Sequence, residues 1–348
     1  MASTATIHPD SIEKGLVPLP QQQQNIPWPT ENWPRTDSSE RGDINKLIQS
    51  IFELNPAQGV TYALLIIKEG QLIYERYDAG ANAIYLQYSW SMAKSFTHAL
   101  VGILAREGMV DIYAPAAVPE WQGNADPRAE ITLDQLLRMS SGLEFNEDYI
   151  DGTVSDVIPM LSFEGRHDTG AFAAAKPLAY PPGTFWSYSS GTTNIICRIL
   201  AEIIGNGPTG MLEFMSRELF EPLGMRTPTP RFDTAGTFIG SSFLLATPQD
   251  FARFGLLYLR DGIWDGQRIL PLGWADYARS CTYRDEEQAY GAHWWLKPDR
   301  NWFYASGYDG QRILLVPDKD VIIVRCGRTP AEEVDAVWNY VNELAELL

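Results

Sequence analysis

Strand-forming runs stand at the two ends of this 348-residue chain and not in its middle. Residues 61–67 and 72–77 are rich in β-branched and aromatic side chains, and Lys68-Glu69-Gly70-Gln71 joins them in a hairpin pattern. A second pair, 312–316 and 321–326, flanks Pro317-Asp318-Lys319-Asp320. Between the two pairs, apolar residues keep helical spacing over 96–107, 133–139, 193–204, 210–220 and 248–259. The same spacing recurs at 44–54 and near the end, where Val334, Val337, Trp338, Val341, Leu344 and Leu348 share a face. Strands and helices do not alternate as a parallel β-α-β series would require. The expected fold is therefore α+β, an α/β sandwich: an antiparallel sheet built from both termini, flanked by helices, with a mainly helical insertion. The expected division is residues 43–90 with 285–348 for the sheet domain and 91–284 for the helical one. Residues 1–42, which carry Pro18, Pro20, Pro27, Pro29 and Pro34, read as an extended wrap that Trp28 and Trp33 could anchor.

Composition narrows the chemistry. A formal net charge of −17 argues against nucleic acid and anionic lipid as partners. Cys197, Cys281 and Cys326 are too few and too scattered for a disulfide framework. The four histidines form no H-E-x-x-H pattern, and no metal or other cofactor is expected. The longest apolar runs fall far short of the roughly 18 residues that span a bilayer, so no membrane partner is expected. The first 35 residues lack a basic start followed by an apolar stretch, which reads as a cytoplasmic chain. Oligomeric state is not legible.

Three short motifs carry the chemistry. Ser91-Met92-Ala93-Lys94 opens a helical pattern, and residues i and i+3 share a helix face, so Lys94 can stand beside the Ser91 hydroxyl. At a helix N-terminus, unpaired backbone N–H groups also stabilise an oxyanion. The pattern alone is weak: Ser11-Ile12-Glu13-Lys14 matches it too, inside the proline-rich wrap. The second motif is Tyr188-Ser189-Ser190, between a Pro181-Pro182-Gly183 turn and a helix, which would hold Tyr188 rigidly as a general base requires. The third is Ala305-Ser306-Gly307-Tyr308, whose glycine allows close approach to a strand. His98 lies about two turns beyond Ser91, yet without a G-x-S-x-G elbow or an identifiable Asp partner it makes no hydrolase triad.

In this order and over most of the chain, the three motifs resemble those of the serine β-lactamase-like family. That family includes class C β-lactamases, family VIII esterases, D-peptidases and 6-aminohexanoate-dimer hydrolase. Supporting stretches are Leu136 to Leu143, Pro222-Leu223-Gly224-Met225 and Ala246 to Asp250. The resemblance implies the family fold, with the active site between the sheet and helical domains. It implies an acyl-enzyme on Ser91, with Lys94 and Tyr188 sharing the task of taking its proton, in an order that sequence leaves open. It places the oxyanion between the backbone N–H groups of Ser91 and Tyr308, and substrate beside Ser190, Ser306 and Gly307. Two departures matter: the usual asparagine of the second motif is Ser190, and the usual lysine of the third is Ala305. Both disfavour β-lactams, unless Arg312 replaces the missing cation; a solvent-facing arginine at a sheet edge is the plainer reading. The segment from Glu144 to Asp151 is similar to the 6-aminohexanoate-dimer hydrolase branch, where a lid tyrosine, here Tyr149, bonds the scissile amide. The expected activity is cleavage of small carboxylic esters or amides. Hydrolysis of the 6-aminohexanoate-dimer or D-peptide type, or a penicillin-binding module that acylates without turnover, are the alternatives.

Overall fold

A computed structural model describes residues 7–36, 42–123, 125–149, 154–286 and 288–348. Eight strands form one antiparallel sheet: β1 (Val60–Lys68), β2 (Gln71–Tyr77), β3 (Tyr283–Arg284), β4 (Ala289–Tyr290), β5 (Trp295–Lys297), β6 (Trp302–Gly307), β7 (Gln311–Val316) and β8 (Val321–Arg328). Their order is β2-β1-β8-β7-β6-β5-β4-β3. The first strand pairs with the last, Leu64 opposite Arg325 and Ile67 opposite Ile322, so the two chain ends do build one sheet.

Period-2 alternation lets each central strand serve two cores. Leu64, Ile66, Leu314, Val316, Val321 and Ile323 pack on one face, in a cluster with residues of helices α1 (Gly42–Phe52) and α5 (Val334–Leu347). Ala63, Leu65, Ile67, Ile313, Leu315, Ile322 and Val324 pack on the other, in a cluster shared with the helical insertion. Strands buried on both faces read as continuous apolar runs, as these do.

On the insertion side lie α2 (Ala93–Arg106), α3 (Ser190–Ile204) and α4 (Pro248–Leu259). Helix α4 rests on β1, β7 and β8. Every residue of α2 from Ala93 to Ala105 is buried, as expected of a helix enclosed on all sides. Phe96 of α2 stacks on Phe254 of α4 with ring centroids 3.7 Å apart. A small sheet of Gln87–Tyr88, Leu244–Ala246 and Thr229–Pro230 leads the chain into α2.

Residues 7–33 run along the helical side, and Pro34 and Arg35 bridge to Leu72 of the edge strand β2. Trp33 is buried, and Trp28 lies 5.0 Å from the Trp264 ring. The Val17 and Pro29 carbonyls accept hydrogen bonds from Arg279 and Arg253. Ser11 of the second Ser-x-x-Lys match accepts a hydrogen bond from the Tyr113 hydroxyl, outside this segment.

Arg312 overturns both readings made of it. Strand β7 lies inside the sheet, paired with β6 and β8, so the side chain is not at an edge. It is buried between aromatic rings, 3.5 Å from the Trp338 centroid and 4.0 Å from that of Tyr304, both members of the α1/α5 cluster. Cation–π contact holds it on the face away from the insertion.

The two-core arrangement predicts that Leu64→Ala and Leu65→Ala each cost about 2–5 kcal/mol in urea unfolding, although they are neighbours on opposite faces. A cost below about 1 kcal/mol for either would show that its face is not packed as described.

Candidate active site

Ser91 lies in a single turn of 3₁₀ helix, Trp90–Met92, that runs directly into α2. Trp90 just before it adopts φ +44°, a conformation that costs a bulky residue about 1–3 kcal/mol and that surrounding contacts must enforce. They do so from two sides. The Ser89 N–H donates to Leu244 O at 2.8 Å, and the end of β6 presses on the turn from the other side. A Cβ on Gly307 would stand 2.2 Å from Ser89 O, so this strand end must be glycine.

Lys94, the second residue of α2, is 1% exposed. Its Nζ lies 3.1 Å from Ser91 Oγ, 2.9 Å from Ser190 Oγ and 2.9 Å from the Ser241 carbonyl. Burial lowers its pKa to about 8, against the opposing pull of Glu147 and Cys197. The Tyr188 ring centroid is 4.7 Å from Nζ and its phenol reaches Ser91. Burial, with the charge of Glu147, pushes this phenol far above the ordinary tyrosine range.

The loop bearing Tyr188 is fixed by the turn after the short helix Leu133–Leu137. Gly183 N–H donates to Ser140 O at 2.7 Å and Ser187 N–H to Met139 O at 2.8 Å. His293 locks the same region, bonding Thr193 of α3 at 3.0 Å and Leu137 O at 2.7 Å. Burial lowers its pKa to about 3, so it is a neutral structural group.

The three motifs thus meet at one point, and the remaining residues singled out by sequence divide around it. Tyr308 follows β6 and meets Trp90 edge-on at 5.8 Å and Tyr149 at 5.6 Å. Ser306 pairs with Arg312 across the β6–β7 ladder, and Ala305 is buried beneath. Ser190 is fully buried, its hydroxyl shared between Lys94 and a group that sequence missed, Glu147. Glu147 Oε1 accepts from Ser190 Oγ at 2.6 Å and Oε2 from the Ser190 N–H at 2.8 Å. The Tyr149 hydroxyl donates to Oε1 at 2.5 Å. Nothing in the acidic run around Glu147 marks it from its neighbours. The available signal was Ser190 itself, whose short hydroxyl beside a lysine needs an acceptor. Asp168 caps the helix Thr169–Ala174 through the Ala171 N–H, and Asp151 lies outside the described residues. His98 is enclosed by Tyr258, Trp274 and Tyr277, with Nδ1 2.7 Å from the Tyr258 hydroxyl. Among the described residues no helix is long and apolar enough to cross a membrane.

Fold and site together define a serine hydrolase of the β-lactamase type. The chain belongs to the Beta-lactamase family, whose model matches residues 49–346. It is 25% identical over 299 residues, 78% of this chain and 73% of the other, to a 6-aminohexanoate-dimer hydrolase of Paenarthrobacter ureafaciens. The fold matches a Bacillus anthracis protein proposed to be a 6-aminohexanoate-dimer hydrolase, with TM-score 0.73 and 23% identity over 94% of this chain and 90% of that one. It also matches an octameric penicillin-binding protein homologue of Pyrococcus abyssi, with TM-score 0.67 and 18% identity over 87% and 77%.

The contact between β6 and the turn bearing Ser91 predicts that Gly307→Ala slows reaction of Ser91 with a fluorophosphonate by about a hundredfold, with far-UV circular dichroism unchanged. Unaltered reactivity would show that this contact does not set the position of Ser91.

Proposed function

We propose that this protein hydrolyses small carboxylic esters, and amides more slowly, through an acyl-enzyme on Ser91. The observation that carries the reading is the Lys94 amine, buried and 3.1 Å from Ser91 Oγ with its pKa lowered to about 8. A neutral amine at that position can take the serine proton as Oγ attacks a carbonyl carbon. Tyr188 is a weaker candidate for the first base, because its phenol stays protonated at neutral pH. In this reading it relays a proton to the leaving group and later helps deprotonate the hydrolytic water. The backbone N–H groups of Ser91 and Tyr308 would hold the oxyanion, the former in the 3₁₀ turn that leads into α2. Esters are favoured because an alkoxide leaves without a closely placed proton donor.

The placement of Tyr149 supports a second reading, cleavage of short linear amides. Its exposed ring stands beside Tyr308 and its hydroxyl on Glu147, so it could turn to bond a leaving amide nitrogen. The Paenarthrobacter relative is named for such a substrate. β-Lactams fit less well: Ala305 supplies no cation, and Arg312 is held in the opposite core.

A panel of p-nitrophenyl esters, linear amide oligomers and a cephalosporin tests these readings. Turnover of the esters is expected, with Ser91→Ala abolishing it and leaving the melting temperature within a few degrees. Wild-type rates in Ser91→Ala would overturn the proposal. Lys94→Ala and Tyr188→Phe are each expected to lower kcat/KM by about two or more orders of magnitude. Because the neutral amine is the active form, kcat/KM should rise with pH through a limb near pH 8 and be lost as pH falls below it. A rate independent of pH from 6 to 9 would exclude Lys94 as the base.

A further inference from the structure

Hydrogen-bond polarity around Lys94 is more constrained than the distances alone suggest. The Ser241 carbonyl can only accept, so Lys94 gives it one N–H. A carboxylate can likewise only accept, so the Ser190 hydroxyl must spend its single proton on Glu147 Oε1. Ser190 Oγ is then left with lone pairs toward Lys94, which gives it a second N–H. A neutral amine has two N–H groups and one lone pair. Both donors are used, and the remaining position faces Ser91 Oγ at 3.1 Å.

We propose that Glu147 is a positioning residue that acts through Ser190 to turn the Lys94 lone pair onto the Ser91 hydroxyl. The inference rests on the acyl-enzyme reading above. In the step concerned, the Ser91 O–H bond breaks and an N–H bond forms on Lys94. At the same time Oγ bonds the carbonyl carbon, and the carbonyl π pair moves onto its oxygen. Lys94 becomes an ammonium with its third N–H where the lone pair had been, and Glu147, one hydroxyl away, stabilises that charge. The logic is that of nucleophile, base and orienting carboxylate, with a serine hydroxyl interposed. The Ser190 N–H on Oε2 and the Tyr149 hydroxyl on Oε1 hold the carboxylate in place.

The groups facing this pair are Tyr188, Cys197 and His293 around Lys94, and Tyr149 of the same loop with Tyr188 and Tyr290 around Glu147. Burial raises the tyrosines and the cysteine and lowers the histidine, which keeps all of them neutral near pH 8. Against desolvation, the Glu147 carboxylate raises the lysine pKa.

The test is Glu147→Gln, read by the rate of Ser91 phosphonylation from pH 5 to 9. An amide can donate into Ser190 Oγ and reverse the hydroxyl, so the rate at pH 9 should fall about a hundredfold or more. Loss of the charge should also move the acidic limb to lower pH by about one unit. A general loosening of the site would slow the reaction without that shift, and Glu147→Asp should restore part of the rate with the limb near its original place. Wild-type rates in Glu147→Gln, or an unmoved limb, would overturn the inference. If Glu147→Gln does not fold, Ser190→Ala cuts the same relay and must slow labelling likewise; wild-type labelling there overturns it too. Ser91→Ala and Lys94→Ala in the same assay separate the two levels. Labelling at the wild-type rate in Ser91→Ala or Lys94→Ala sinks the acyl-enzyme reading, whereas loss in both with an unaffected Glu147→Gln sinks this inference alone.

Discussion

A lysine amine removed from water is the constraint around which the site is arranged. Taking such a group into a protein interior disfavours its charged form by up to several pKa units unless partners compensate. Here the compensation is partial. Three oxygen atoms from three separate parts of the chain surround Nζ, and a carboxylate stands one hydroxyl away. The result is a pKa of about 8, low enough for a populated neutral amine and high enough for a useful base. A fully solvated lysine would be protonated at neutral pH, and one stripped of partners would be too weak.

Supplying those partners needs the whole fold. The 3₁₀ turn and α2 that follows it bring Ser91 and Lys94 together, the start of α3 brings Ser190, and the loop between Thr229–Pro230 and Leu244–Ala246 brings the Ser241 carbonyl. The sheet contributes the end of β6, which reaches Ser89 closely only because Gly307 has no side chain. That strand is held in register by β7 and, through β8, by the first hairpin of the chain. Pairing the two chain ends is therefore what places the third motif beside the first. Strain at Trp90 is sustained by the same contacts, in keeping with backbone strain stored where surrounding structure over-determines it.

Much of this was legible in the sequence because it rests on local pattern. Both hairpins and helix α4 follow from periodicity and turn residues, and the Ser91/Lys94 pair follows from helical spacing. Strands β3, β4 and β5 are only two or three residues long and are held by their neighbours, so they leave no periodic trace. Arg312 was misjudged because a charged residue on a strand resembles an edge residue until the rings of Tyr304 and Trp338 are known to enclose it. Glu147 was invisible for a related reason. It meets Ser190 from 43 positions away, and no spacing rule links an acidic loop to the first turn of a helix.

The central claim is that Lys94 is the group that changes charge near neutral pH. It is tested most directly by following the lysine side-chain nitrogens by NMR as a function of pH, with Lys94→Ala used to assign the signal. The account predicts one lysine titrating near pH 8 that vanishes in the variant. If instead every lysine titrates near the ordinary value of about 10.4, the proposed base is charged throughout the working range and the account fails.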